Sequence, residues 1–320
     1  MEDRILADLR KSYGITVRQF TPVTGGLLNL KWKASTDQGD LLVKQYSTRR
    51  FRREQIERIE SALERQIILE KEGVPCPMIW KNDGHILRWL DDETVYMVMA
   101  FHAGKTENAE TITIGQLRSL GSACTVMHNA FSLLPEPSDK RLPGFGGYTM
   151  DALWQNYNAR RAECTPDMPM EYQEALHMQE KILRQLDASF FHTFPKGFAH
   201  EDCHAGNILF HADRLSAIVD FDRNCYSYVW HDIGRALLSF ALDSNGMNVA
   251  KVRAFLDGYA LHAPLALPDI AQALRLSWCI ETPWFIQPGY FEPDCNETGK
   301  RLKDEVLWLT ENWFNLEEQV

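Results

Sequence analysis

The chain has 320 residues, 45% of them hydrophobic, enough to bury a substantial core in one large domain or two lobes. Its formal charge of -10 argues against nucleic acid or an anionic membrane surface as the main partner, since both reward basic patches, and is compatible with a cationic substrate. The charged amino terminus lacks an apolar signal core, no apolar run approaches membrane-spanning length, and the seven cysteines form no CxxC pair, so reduced thiols in a soluble, cytoplasmic protein are expected.

In chain order, β-type punctuation comes first. Leu28 to Ala34 and Leu41 to Tyr46 alternate as short strands, with hairpin material at Asp37-Gln38-Gly39-Asp40 between them. Gly25 and Gly26 precede the first strand, where paired glycines let the backbone approach a ligand and exposed N–H groups can cradle phosphate oxygens. Taken alone, that pair is more often a turn, and Lys44 in the second strand is more often an edge lysine facing water. From Arg53 to Glu72 the residues Ile56, Ile59, Leu63, Ile67 and Ile68 make one helical stripe, stopped by Gly73-Val74-Pro75-Cys76-Pro77. Glu60 and Glu64 lie one turn apart on this helix, and the isoleucines at i+3 and i+4 favour Glu64 as the one carried toward the core.

Val95 to Phe101 reads as a buried strand, and His102-Ala103-Gly104-Lys105 breaks it as a hinge, since helical stripes dominate afterwards. Ile114, Leu117, Leu120, Cys124 and Met127 make one such stripe, and Tyr172, Leu176, Leu183, Leu186 and Phe190 another. Pro143-Gly144-Phe145-Gly146-Gly147 has the composition of a phosphate loop, but no strand leads into it and no lysine follows closely. It is read as a surface loop.

The most informative stretch is Phe198 to Arg223, FAHEDCHAGNILFHADRLSAIVDFDR. Asp202 precedes Asn207 by five residues, and Asp220 follows thirteen later. One acid to orient an attacking hydroxyl, with an amide and a second acid to hold magnesium on nucleotide phosphates, is the set phosphoryl transfer needs. His200, Glu201 and His204 also spell HExxH, the zinc signature of metalloproteases. That chemistry requires a helix, whereas Pro195 and Gly197 before it, Gly206 after it and the apolar run Ile208-Leu209-Phe210 predict strand-loop-strand. No recognisable pattern supplies a third ligand, although a stray acid or His211 is available. Cys203 is assigned to loop packing.

With these residues in place, the chain resembles the aminoglycoside phosphotransferases and their relatives, the choline, homoserine and methylthioribose kinases and the bacterial stress and spore-coat kinase-like proteins. The resemblance runs in order through Gly25-Gly26 with Asn29, the lysine in LLVKQY, the helix ending in GVPCP, MAFHAG, Met127-His128, HEDCHAGNILF, IVDFD, HDIGRAL and FLDGY. It implies an α+β, two-lobed protein-kinase-like fold, with a small β-rich nucleotide-binding lobe over 1–101 and a larger, mainly helical catalytic and substrate lobe over 102–320. It also implies ATP and Mg2+ as cofactors, Asp202 as catalytic base, and Asn207 and Asp220 as metal ligands. Lys44 would hold the α- and β-phosphates beneath the Gly25-Gly26 turn, with Glu64 or Glu60 as its ion-pair partner. Backbone groups near Met99, Ala100 and His102 would receive the adenine. His200 would brace the catalytic loop, Asp222 would assist metal or substrate, and Asp232 is expected to cap the following helix.

Departures from the protein-kinase pattern narrow the acceptor. Glu201 stands where protein kinases carry an arginine that reads a phosphorylated activation loop, and only about a dozen residues separate Asp222 from the next helix, too few for a peptide platform. A small-molecule hydroxyl is therefore expected as acceptor. Trp278, Trp284, Tyr290, Trp308 and Trp313 lie among Glu281, Glu292 and Asp294, a mixture that suits a cation such as an amino alcohol or aminoglycoside, although any one tryptophan more often packs a core. Two other readings stay open, a non-catalytic coat or scaffold protein and a bacterial Ser/Thr protein kinase.

Overall fold

The computed structural model describes residues 2–23, 29–138 and 148–320. Gly25, Gly26 and the 143–147 loop lie outside the described residues. The chain forms two units, one of Met1–Thr106 with Gly206–Asn224 and the other of Glu107–Ala205 with Cys225–Val320. The 206–224 segment, which a linear reading leaves in the second lobe, thus clusters with the first.

The first unit begins with an amphipathic helix, α1 (Glu2–Tyr13), which the sequence reading did not anticipate in its charged amino terminus. Next come β1 (Val17–Pro22), β2 (Leu30–Thr36), β3 (Gly39–Ser47), α2 (Arg53–Lys71), β4 (Ile79–Trp80), β5 (Arg88–Trp89) and β6 (Thr94–Ala100). They build one six-stranded sheet in the order β1-β2-β3-β6-β4, with β5 also on β6. The period of two along a strand divides its side chains between two cores. Val95, Met97 and Met99 of β6 join Tyr46 and the α2 residues Ile56, Ile59 and Leu63 on one face. Tyr96 and Val98 join Trp32, Val43 and the α1 residues Ile5 and Leu9 on the other. α1 is fixed by its buried Asp8, which accepts from Arg88 Nε at 2.9 Å and from the Tyr96 hydroxyl at 2.7 Å.

A hairpin of strands Ile208–His211 and Arg214–Ile218 completes this unit. Its anchors are backbone ones: Ile218 N–H donates to Pro75 O at 2.7 Å, and Lys105 and Phe210 exchange hydrogen bonds. The GVPCP turn that stops α2 therefore seats this hairpin as well.

The second unit is mostly helical: α3 (Ile114–Ser132), α4 (Met150–Glu163), α5 (Met170–Leu183), α6 (Trp230–Ala241), α7 (Val249–Tyr259), α8 (Leu267–Phe285) and α9 (Glu297–Asn312). Local chemistry sets several starts: Thr113 and Gln116 form a reciprocal capping box on α3, and Thr149, Asn248 and Asn296 cap α4, α7 and α9. The second stripe read from the sequence is cut short, because the helix ends at Leu183 and Phe190 begins a short 3-10 turn. α3 and α7 pack backbone to backbone through Gly121 and Gly258; a Cβ on the first would run into Phe255 O, and on the second into Arg118 O. The strands Lys196–Ala199 and Cys225–Tyr228 pair and flank the central motif. Trp278 is fully buried, donates to Thr310 Oγ1 at 2.8 Å and lies 4.9 Å from the Trp313 ring, so these two tryptophans build the core rather than a cation site. Among the described residues no disulfide forms, and no helix is long and apolar enough to cross a membrane.

Candidate active site

In the first unit Lys44 lies on the α2 face of β3, 2% exposed, where a bare ammonium is costly. Its Nζ is 2.6 Å from Asp220 Oδ1 and 2.6 Å from Asp222 Oδ2. Burial works against the lysine charge, but the two carboxylates outweigh it and hold the Lys44 pKa above its ordinary value. Asp220 also receives Lys31 Nζ at 3.3 Å. Burial would raise the Asp220 carboxyl, yet Lys44 and Lys31 prevail and keep it well below the usual carboxylate range. Asp222 behaves differently: burial and the adjacent Asp220 push it up, against Lys44 and the Tyr46 hydroxyl, which donates to Asp222 Oδ1 at 3.0 Å.

Glu64 is not the partner of Lys44. It binds Lys81 at 2.7 Å, while Glu60 accepts from the Ile86 and Leu87 N–H groups. The buried positions of α2 are Ile56, Ile59, Ala62, Leu63, Gln66 and Leu69, so both glutamates flank the stripe and reach the rim of the sheet. Both acids that hold the lysine come from the DFD motif, and α2 is tied to that motif through Arg65, whose Nε donates to Asn224 Oδ1 at 2.6 Å.

The hairpin sets the geometry of the DFD motif. Val219 N–H donates to Asn207 O at 2.9 Å, bringing the backbone of Asn207 against the residue before Asp220. Asp220 itself has left-handed backbone angles, φ 67° and ψ 53°, unusual for a residue other than glycine. The amide of Asn207 and the carboxylate of Asp220 are hard oxygen donors, and the lysines beside them suit phosphate, so this donor set fits magnesium and a polyphosphate. Of the segment expected to meet adenine, Met99 is laddered between β3 and β4, and Ala100 N–H is already given to Met78 O. His102 follows the end of β6, where burial lowers its pKa.

In the second unit the residues around Asp202 form a braced loop, not a helix, and among the described residues no group of three metal-ligating side chains exists to support the zinc reading. His200 is fully buried, and its Nδ1 accepts from Asp202 N–H at 3.2 Å. Asp232 is the third residue of α6 and not its cap. Its carboxylate accepts from His200 N–H at 2.7 Å, Glu201 N–H at 2.9 Å and His128 Nε2 at 3.2 Å, while His128 Nδ1 meets the Tyr259 hydroxyl at 2.9 Å. These contacts keep the Asp232 carboxylate ionised in spite of complete burial. The sequence signal was present in HDIGRAL, but the partner of that aspartate is a loop thirty-two residues upstream. Asp202 Oδ1 stands 3.6 Å from His204 Nε2. Cys203 is buried, as its loop-packing assignment required, and a hydrogen bond with Cys124, together with burial, pushes its thiol well above the ordinary range.

Glu201, next to Asp202, also has left-handed backbone, φ 66°. Its carboxylate receives the Tyr148 hydroxyl at 3.2 Å and stands 3.6 Å from His231 Nδ1. His231 reaches Glu281 at 3.4 Å, Glu281 takes Arg235 at 3.0 Å, and Arg235 also binds Glu305. A buried chain of charges thus runs from the Asp202 loop into α8 and α9, and it consumes Glu281, one of the acids read as a cation site.

The sequence profile of the phosphotransferase enzyme family, APH, matches residues 19–265. The chain belongs to this family. Among curated relatives, a homoserine kinase of Allorhizobium ampelinum is 26% identical over 206 residues, 63% of this chain and 60% of that protein. One of Sinorhizobium fredii is 25% identical over 296 residues, 89% and 85%. The chain spans about three fifths of the length of the first of these relatives. Among solved structures, an amicoumacin kinase in complex with AMP-PNP, Ca2+ and Ami superposes with a TM-score of 0.67 at 16% identity, covering 98% of this chain and 94% of that one. A microcompartment-associated aminopropanol kinase gives 0.66 at 14%, covering 99% and 98%. The protein-kinase-like fold expected for the family member is the fold it has.

Proposed function

We propose that this family member is an ATP-dependent O-phosphotransferase acting on the hydroxyl of a small molecule that also carries an amino group. The observation that carries the reading is the pair of oxygen donors Asn207 and Asp220, backed by Lys44, in a chain whose Asp202 loop is pinned by the buried Asp232. Magnesium with ATP supplies the transferable γ-phosphoryl group and neutralises its charge. Asn207 and Asp220 hold the metal, and Lys44 binds phosphate oxygens with the ammonium that Asp220 and Asp222 keep charged. Asp202 orients the acceptor hydroxyl and accepts its proton, at a position fixed by His200. Positioning and electrostatics supply most of the rate in such a transfer.

Support for an amino-bearing acceptor comes from the kinases it is similar to: homoserine and aminopropanol each combine an amine with a hydroxyl. The overall charge of -10 is in keeping with a cation. The test is ATP consumption with homoserine, amino alcohols, amino sugars and aminoglycosides, with Asp202→Asn alongside. Turnover with at least one acceptor and its loss by about a thousandfold or more in the variant is the expected outcome. Equal turnover by Asp202→Asn would sink the catalytic assignment, and magnesium-ATP binding without turnover on any acceptor would favour a non-catalytic binding protein.

A further inference from the structure

Lys31 carries no motif and is invisible in the sequence, yet its place in the sheet is special. β2 alternates: Trp32, Ala34 and Thr36 are buried toward α1, whereas Lys31 and Lys33 lie on the opposite face. In the β2–β3 ladder Lys31 stands directly across from Lys44, so the two ammonium groups share the α2 face of the sheet. A solvated strand lysine would point to water. The Lys31 side chain is 19% exposed and reaches Asp220, whose other oxygen is already held by Lys44. Lys33, two residues on, is spent elsewhere, on Asp40 at 2.6 Å and over the Phe101 ring.

We propose that Lys31 is a second phosphate-binding lysine, paired with Lys44 across β2 and β3 and directed to the outer phosphates of the nucleotide. The proposal rests on the phosphotransferase reading above. Its physical ground is charge. Lys31 and Lys44 against Asp220 and Asp222 sum to zero, so the cluster is self-neutralised when alone. A divalent cation on Asp220 competes with both lysines for that carboxylate and leaves two positive charges in excess, facing the polyphosphate that the same cation accompanies. Without Lys31 half of that excess disappears. Asp220 thus serves as a parking place for an ammonium whose working partner is phosphate.

Calorimetric titration of the full chain with adenosine, ADP and AMP-PNP, each with magnesium, tests this in wild type, Lys31→Met and Lys31→Arg. Lys31→Met is expected to bind adenosine as wild type does and magnesium-AMP-PNP about tenfold or more weakly, with ADP in between and Lys31→Arg retaining most of the affinity. Should Lys31→Met fail to fold, Lys31→Gln carries the same comparison. Unchanged AMP-PNP affinity overturns the proposal. So does an equal loss for adenosine and AMP-PNP, which would make Lys31 a brace for Asp220 and nothing more. If the wild type binds no magnesium nucleotide at all, the phosphotransferase reading fails first and Lys31 falls with it.

Discussion

Lys44 illustrates how far one residue can be read before its partners are known. Its strand and its charge were legible, because a lone lysine in Leu41-Leu42-Val43-Lys44 has few uses. Its partner was not, since α2 offers two glutamates near the right face and the choice is made by register against the sheet. The observed partner Asp222 predicts a stability effect: Asp222→Ala strands a 2% exposed ammonium with less counter-charge and should cost about 3 kcal/mol, read by urea unfolding. An unchanged midpoint would show that Lys44 finds compensation without it. His231 gives the pH counterpart. Burial opposes its charge, but Glu201 and Glu281 raise its pKa from 6.5 to about 10. A folded-state value above the unfolded one means that its stabilisation is complete below about 6.5 and fades as pH rises toward about 10. The melting temperature should therefore decline across that window, and His231→Gln should decline less; parallel curves would count against a charged His231.

At the scale of elements, periodicity located α2, β6 and the core of α3 closely, since each is long and strongly patterned. It missed α1 and α4. α1 is charged all along its visible face and owes its place to Ile5, Leu9 and the buried Asp8, contacts made only once Arg88 and Tyr96 are nearby. The end of α5 was overrun because apolar spacing continues into residues that fold as a 3-10 turn. The close approach of α3 to α7 depends on the lack of a side chain at Gly121 and Gly258, which the apolar stripe of α3 does not reveal. Gly121→Ala should thus destabilise by about 1–3 kcal/mol through overpacking, in spite of the better helix propensity of alanine. A gain in melting temperature would contradict the close approach.

For the molecule as a whole, the family and the fold were readable because HEDCHAGNILF and IVDFD are dense in chemistry and ordered along the chain. The bracing of the Asp202 loop was less readable, since Asp232, His128 and Glu281 are far apart in sequence and only the fold collects them. Division of the chain was the hardest part. A unit that takes in both Met1–Thr106 and Gly206–Asn224 cannot be delimited by a single boundary. A fragment ending at Thr106 keeps the whole sheet but loses Asp220 and Asp222, so its Lys44 must bury an unopposed charge. It should be expressed as an unfolded or aggregating chain, and addition of the 206–224 peptide should recover cooperative melting if those acids are what it lacks.

The seating of the 206–224 hairpin on the Pro75 turn and on Lys105 therefore bears on heredity as well as on geometry. The sheet-bearing unit is not a cassette. A single crossover after Thr106 would carry away the acids that make Lys44 tolerable, so relatives with new acceptors are expected to arise by change within the helices and not by exchange of halves.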